Sequence, residues 1–434
     1  MNISRFMLLS ALLVASRPAL ADPATITLQD AYTAALTTHE SIKMSEESLL
    51  QAESRTDQAK SYIYPRVTAM GSYTRYNDVL PPGAGSGQVF QPLNETRASL
   101  VLQQPLYTGG RTLAAWRLAK MMKESSSNDL AVTRQEIMLG VSDAYYAAIK
   151  AQKLVEVSVH SLERIDRHKK VAEHEAVTRR TKTNQSAFLR ANSLVNQGKI
   201  ALVRSQDGLQ LAKQKLSLIT RVPEDVQLVE PAPLTVPGES LKDLKASALQ
   251  QREEYRNAEL NRKTAEEFVT ITRGGHYPQL YAEAGAQYVV SSPETLMDGT
   301  TYYGGLRLQI PLFEGGLKEA EVAESRSKQR QADYAQVLLQ RKIESDVEEA
   351  LIRLHTQTSV LETAKLQYDD AKKNFEAIEG LYAEGLATNL SMIDAEQAIT
   401  FAESELVSAT WDREAAIARL QRALGILGKE NPVR

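Results

Sequence analysis

No cysteine occurs anywhere in the sequence, which removes disulfides, thiolate-bound metals and a lipid carried on an N-terminal cysteine from consideration. Long apolar runs are missing too. Past the first two dozen residues, no window approaches the roughly 18 to 20 apolar side chains that a membrane-crossing helix needs. Charge of one sign is scarce: the net charge is −3 with 24% charged residues, and no basic excess points to nucleic acid. Histidine is sparse, and His160, His168 and His174 have spacings that miss the one-turn repeat of a helical metal pair. No Ser/His/Asp set or carboxylate pair stands out, and no loop fits a nucleotide. An enzyme, a bound metal and a cofactor are therefore not expected. These absences leave two classes, an extracytoplasmic soluble protein and a β-barrel, whose signal per segment is weak.

The N-terminus favours export. Arg5, an apolar run from Phe6 to Ala15, and Ala19-Leu20-Ala21 before Asp22 form the pattern of a secretory signal over residues 1–21.

The remaining sequence repeats itself at half-length. "QQPLYTGGR" aligns Pro105, Tyr107 and Gly109-Gly110 with Pro311, Phe313 and Gly315-Gly316 of "QIPLFEGGL". Tyr64-Pro65 stands opposite Tyr277-Pro278, and "VTRRTKTNQSAFLRA" (177–191) opposite "LYAEGLATNLSMIDA" (381–395). Three landmarks in one order describe an internal duplication: a first repeat over 22–220, a linker over 221–240 with four prolines, a second repeat over 241–428 and a tail over 429–434. Each repeat reads as helix, strand, strand, long helix, turn, helix.

Two stretches, Gly110 to about Val177 and Gly316 to about Tyr382, lack proline and read as very long helices. Along the second, apolar or small residues fall at Val347, Leu351, Leu354, Thr358, Leu361, Ala364, Tyr368, Ala371, Phe375, Ile378 and Tyr382. Steps of three and four place them on one seam, as in coiled coils. Four segments alternate instead. In 301–313, Tyr302, Leu306, Leu308 and Ile310 oppose Tyr303, Arg307 and Gln309; in 279–290, Leu280 through Val290 at every second residue oppose Glu283 and Gln287. In 95–107, Ala98, Leu100 and Leu102 oppose Arg97, Ser99 and Gln103, while 66–76 is weaker. Two hairpins follow, over 66–107 and 279–313.

Alternation alone fits a half-buried sheet on a soluble coiled-coil scaffold as well as a transmembrane barrel. Gly/Pro-rich loops at 77–94 and 291–300 favour the barrel. Four strands cannot close one, since about eight are needed, so a barrel has to be shared among two, three or four chains. Pro105 and Pro311 then end the strands, Tyr107 and Phe313 sit at an interface, and the glycine pairs turn strand into helix.

The duplicated halves, "QPLYTGGR", "IPLFEGGL" and "LYAEGLATNLSMIDAEQAITFAESEL" together resemble the TolC family of outer membrane efflux proteins over essentially the whole mature chain. The resemblance implies a mainly α fold with transmembrane β: a homotrimer whose 12-stranded barrel in the outer membrane continues into a 12-helix periplasmic tunnel with an equatorial belt. It implies a passive efflux or type I secretion conduit, opened at its periplasmic end by a periplasmic membrane-fusion adaptor and an inner-membrane transporter. Tyr382 and Asp394 match gate and pore positions; Thr181, Lys182, Gly385 and Leu386 match the adaptor-contacting tips. Ala387, Ser391 and Ala187 depart from the family's gate pattern, as does Thr181, which stands opposite Gly385. Leu386 is an apolar side chain that a bare solvated turn does not need, whereas Arg179, Arg180 and Lys182 read as a solvated tip.

Overall fold

The computed structural model describes residues 25–80, 91–179, 181–234, 238 and 240–429. The expected signal over 1–21, part of the first hairpin loop, Arg180, part of the proline-rich linker and residues 430–434 of the tail lie outside the described residues. The chain is mainly helical, and its elements run through one order twice. First come β1 (Thr25–Ile26), α1 (Leu28–Thr38), α2 (Glu40–Ser61), β2 (Arg66–Arg75), β3 (Asn94–Tyr107), α3 (Arg111–Arg179) and α4 (Lys182–Thr220). Then come β4 (Gln227–Leu228), α5 (Leu241–Gln251), α6 (Glu253–Arg273), a 3₁₀ turn at Gly274–His276, β5 (Gln279–Ser292), β6 (Gly299–Gln309), α7 (Leu317–Ala383) and α8 (Asn389–Leu424). The single helix expected before each hairpin is two helices, interrupted at His39 and at Arg252, whose backbones are extended. Two compact units draw on both runs: Met1–Ala35 with Gly140–Leu234 and Leu361–Glu414, and Leu36–Leu139 with Thr235–Val360 and Ala415–Arg434.

The second unit holds a four-stranded antiparallel sheet in the order β2-β3-β5-β6, so among the described residues β2 and β6 each have one unpaired edge. Its register assigns every side chain to a face. Leu102 pairs with Val67 and Ala284, Leu100 with Ala69 and Ala286, and Leu308 with Leu280. On the other face Gln103 pairs with Arg66 and Glu283, and the Gln103 amide donates to Glu283 at 3.0 Å. Arg307 reaches the same carboxylate at 2.8 Å. The apolar face is uncovered: Leu306 is 70% and Leu308 60% exposed.

The two junction prolines differ, which corrects the expectation that both end a strand. Pro105 lies inside β3, paired with Tyr281, and the register slips between Pro105 and Tyr107. The β2 partners stop at Gln103, so at Pro105 the strand has lost one neighbour and bulges, as a residue without an N–H requires. Pro311 lies beyond the end of β6 at Gln309, and the second hairpin stops short of 313.

The helical seam along α7 is real at each residue. From Val347 to Tyr382 every predicted seam position is buried or half-buried. Within the second unit, Arg252 at the break between α5 and α6 reaches Glu254 at 3.2 Å and Asp346 at 3.0 Å, and Arg422 of α8 reaches Glu254 at 2.8 Å. Within the first unit, β4, inside the proline-rich linker, pairs in parallel with β1. The Tyr145 hydroxyl lies 2.8 Å from the Ile26 carbonyl oxygen and 2.6 Å from that of Val229, clamping the pair to α3. Burial pushes that hydroxyl up to about 12.

Burial acts to raise the Glu254 carboxyl pKa, but hydrogen bonds and charge from Arg252 and Arg422 outweigh it and hold it at about 2 against an ordinary 4.5. A carboxyl depressed in the fold stabilises above its ordinary pKa and loses that contribution as pH falls from about 4.5 to about 2. Glu254→Gln is expected to cost on the order of 2 kcal/mol at neutral pH, because two guanidinium groups lose an ionic acceptor. It should also flatten the decline of melting temperature across that acid window. A parallel decline in wild type and variant would show that Glu254 is not the titrating group.

Candidate functional site

The two helix reversals are capped by different residues. α3 ends at Arg179 and α4 starts at Lys182, with Thr181 extended (φ −85°, ψ 153°) and its hydroxyl accepting from the Asn184 N–H. α7 ends at Ala383 and α8 starts only at Asn389. In between, Gly385 is left-handed at φ +77°, its N–H donates to the Tyr382 carbonyl at 3.0 Å, and the Leu386 N–H donates to that of Leu381 at 2.8 Å. That double bond pattern is the Schellman helix stop, which favours glycine. Thr388 then caps α8, its hydroxyl accepting from the Ser391 N–H at 3.1 Å. Thr181 stands where the alignment puts Gly385 yet does the work of Thr388, so α4 begins about one turn sooner than α8. Leu386 is 71% exposed, and Thr181 and Lys182 are exposed as well.

Behind the second reversal lies a polar cluster that sequence reading missed. His168 of α3 is buried, with Nδ1 3.4 Å from Glu396 Oε2 and Nε2 2.9 Å from Asn389 Oδ1. The Tyr382 ring stands edge-on to the imidazole, centroids 5.2 Å apart and planes at 82°. Its hydroxyl pKa is raised by burial and by the charges of Glu175 and Glu396. Glu396 is 1% exposed, and its Oε1 has no hydrogen-bond partner among the described residues. One turn along, Arg164 makes a two-pronged ion pair with Glu403, 2.8 Å at its shorter contact, and Ser161 meets Thr400 at 2.9 Å. Positions 161, 164 and 168 step by three and four along α3, so that seam spacing filled with polar residues was the available signal. Apolar neighbours flank it: Phe375, Met392, Ala395 and Ile399 form one buried cluster, and Ile165, Leu194 and Val195 another.

Of the two predicted gate residues, Tyr382 belongs to this cluster and Asp394 does not; Asp394 is exposed. Ala187, Ala387 and Ser391 are half-buried, and the Ser391 hydroxyl is 2.9 Å from that of Thr388.

At the junctions, Gly109, Gly110, Gly315 and Gly316 all have positive φ. Gly109 carries a second constraint: a Cβ there would lie 2.4 Å from the Gly274 carbonyl oxygen. Among the described residues, no heavy atom beyond the glycine and its chain neighbours comes within 4 Å of a Cβ built at Gly315 or Gly316.

Residues 31–220 and 244–426 match the family of outer membrane efflux proteins. The chain belongs to that family. It is similar to the probable outer membrane lipoprotein SilC of Salmonella typhimurium, 24% identical over 305 residues, 67% of this chain and 63% of that protein. The matched stretch thus spans less than two-thirds of SilC. Among solved structures, the fold is similar to that of CusC, with a TM-score of 0.80 at 16% identity and 92% of each chain covered. It is also similar to VceC from Vibrio cholerae, with a TM-score of 0.77 at 17% identity, covering 92% of this chain and 96% of that one.

A buried carboxylate with one orphan oxygen depends on its histidine neighbour. His168→Ala is expected to destabilise by about 1 to 3 kcal/mol, because it leaves the buried Glu396 side chain without its histidine hydrogen-bond partner. His168→Leu/Glu396→Leu should recover most of that loss, since an apolar pair of similar volume needs no solvation. Thermal melts of the single and double variants decide it, and a double variant no more stable than His168→Ala would refute the pairing.

Proposed function

We propose that three copies of this chain form a passive conduit across the outer membrane, with the twelve strands of three sheets closed into a barrel and the long helices forming a periplasmic tunnel. The observation that carries this reading is the sheet with two unpaired edges and one bare apolar face. Apolar side chains suit lipid, unpaired strand edges do not, and joining sheets edge to edge satisfies both. The doubled element order supports an internal duplication, with the proline-rich stretch as an equatorial linker and the positive-φ glycine pairs as barrel-to-helix junctions. The soluble scaffold reading leaves the apolar face unexplained.

On this reading the chain does no chemistry and binds no cofactor. An inner-membrane transporter supplies the energy, and a periplasmic adaptor docks at the tips, where Thr181, Lys182, Gly385 and Leu386 lie. Tyr382 helps hold the tunnel end closed through its contact with His168, and Asp394, exposed in the single chain, contributes one carboxylate to a ring of three. Adaptor binding lets the helix pairs relax outward. The barrel, and no lipid on cysteine, holds the protein in the membrane.

Facing is the first test. Leu308→Arg is expected to lower membrane yield and trimer recovery, at roughly 2 to 4 kcal/mol for a lipid-facing arginine at mid-bilayer, while Gln309→Arg assembles normally. Equal tolerance would reverse the facing, and recovery of the wild-type chain in the soluble periplasmic fraction would overturn the membrane reading.

The tunnel end is tested separately. Asp394→Asn should lower cation selectivity in planar bilayers with the trimer intact. Leu386→Asp should reach the membrane as a trimer and fail to export, by setting a charge in an apolar contact. Unchanged selectivity removes Asp394 from the pore, and full export removes Leu386 from the docking surface.

A further inference from the structure

A pocket of about 430 Å³ opens where the sheet meets the helices of the second unit. Its sheet wall is supplied by Arg66, Gln103 and Tyr281, all on the polar face of the strands. Tyr62 and Tyr64 join from the α2–β2 connection, and Arg111 from the first turn of α3. Among the described residues, no carboxylate lines it. The carboxylate nearest in the hydrogen-bond network, Glu283, accepts from the Gln103 amide and is already paired with Arg307 at 2.8 Å. Arg66 has no ionic partner among the described residues; its guanidinium lies 5.7 Å from the Tyr62 ring centroid. Arg111 likewise has no carboxylate partner among the described residues. Lys60, 6.0 Å from the Tyr64 ring centroid, adds a third cation nearby.

Two guanidinium groups without counter-ions, set among three tyrosine rings, recognise one kind of ligand. The planar fork of arginine binds a carboxylate through two parallel hydrogen bonds, and tyrosine faces stack on an aromatic ring. The volume suits an organic molecule of one or two rings. A lipid headgroup is the wrong source, because the sheet residues lining the pocket lie on the face opposite the exposed apolar one. We propose that this pocket is a binding site for aromatic carboxylates, a station for such anions on their way through the conduit. Its role in transit rests on the conduit reading; the binding itself does not.

The test uses the full chain in detergent and equilibrium dialysis of labelled 1-naphthoate at low ionic strength, against a micelle-only blank. Naphthoate should bind saturably, one per chain. Arg66→Gln and Arg111→Gln should each weaken binding at least tenfold, with partial rescue in Arg66→Lys. Arg97→Gln, which alters an arginine of the same face that is paired with Glu95 and does not line the pocket, should leave it unchanged. Circular dichroism and size-exclusion profiles establish that each variant is folded. Unaltered affinity in the Arg66→Gln/Arg111→Gln double variant would overturn the proposal. So would equal binding of 1-naphthylmethylamine, which removes the anion requirement, or full competition by equimolar inorganic phosphate, which removes the aromatic one. Single-channel recordings on the same sample report the conduit independently: a protein that binds naphthoate without conducting keeps the site and loses the transit role, and the reverse result does the opposite.

Discussion

An unpaired strand edge carries a row of peptide groups that need hydrogen-bond partners, and in hydrocarbon there is no water to provide them. β2 and β6 each carry such a row. The four strands also turn Leu100, Leu102, Leu306 and Leu308 outward on one face, so water is no better a home for that side of the sheet. One chain alone can satisfy one requirement or the other. Copies joined edge to edge satisfy both, and the placement of Arg66, Gln103, Glu283 and Arg307 on the opposite face follows from the same alternation.

The helices answer a different requirement. A long helix gains stability by burying one stripe along its length, and α7 does so from Val347 to Tyr382. Where polar groups enter such seams they are handled in two ways. Glu254 has two arginines and lies well below the usual carboxylate range. Glu396 has one histidine at 3.4 Å and an oxygen left over. The first arrangement is a fixed strut. The second is poorly satisfied, and it lies directly behind the reversal between α7 and α8.

What could be read in the sequence was what repeats over short distances. The strand faces, the α7 seam and the glycine turns each depend on residues a few positions apart, and each is found at the residues that the pattern named except Ile310, which lies past the end of β6. The β1–β4 pair was illegible because two-residue strands have no periodicity and their partner lies some two hundred residues away. The His168–Glu396 pairing was illegible for the same reason: single polar residues on separate helices mean nothing until the helices are packed. Pro105 misled because its missing N–H matters only on a paired edge, and β2 stops just before it. Thr181 misled because alignment equates positions, whereas a helix cap is defined by which N–H groups need an acceptor.

The unequal reversals have a consequence for symmetry. On the proposed reading, a duplicated chain assembled in threes presents six tips, and with identical copies those tips would be six interchangeable seats. Here one kind is a short threonine-capped reversal and the other a longer glycine-stopped one bearing Leu386. On the proposed three-chain reading the ring therefore repeats every 120°, not every 60°. On the same reading a partner that contacts every tip meets two different surfaces in alternation. A mutation in one gene then alters three seats at once and leaves the other three as they were, so the two kinds of seat are free to diverge.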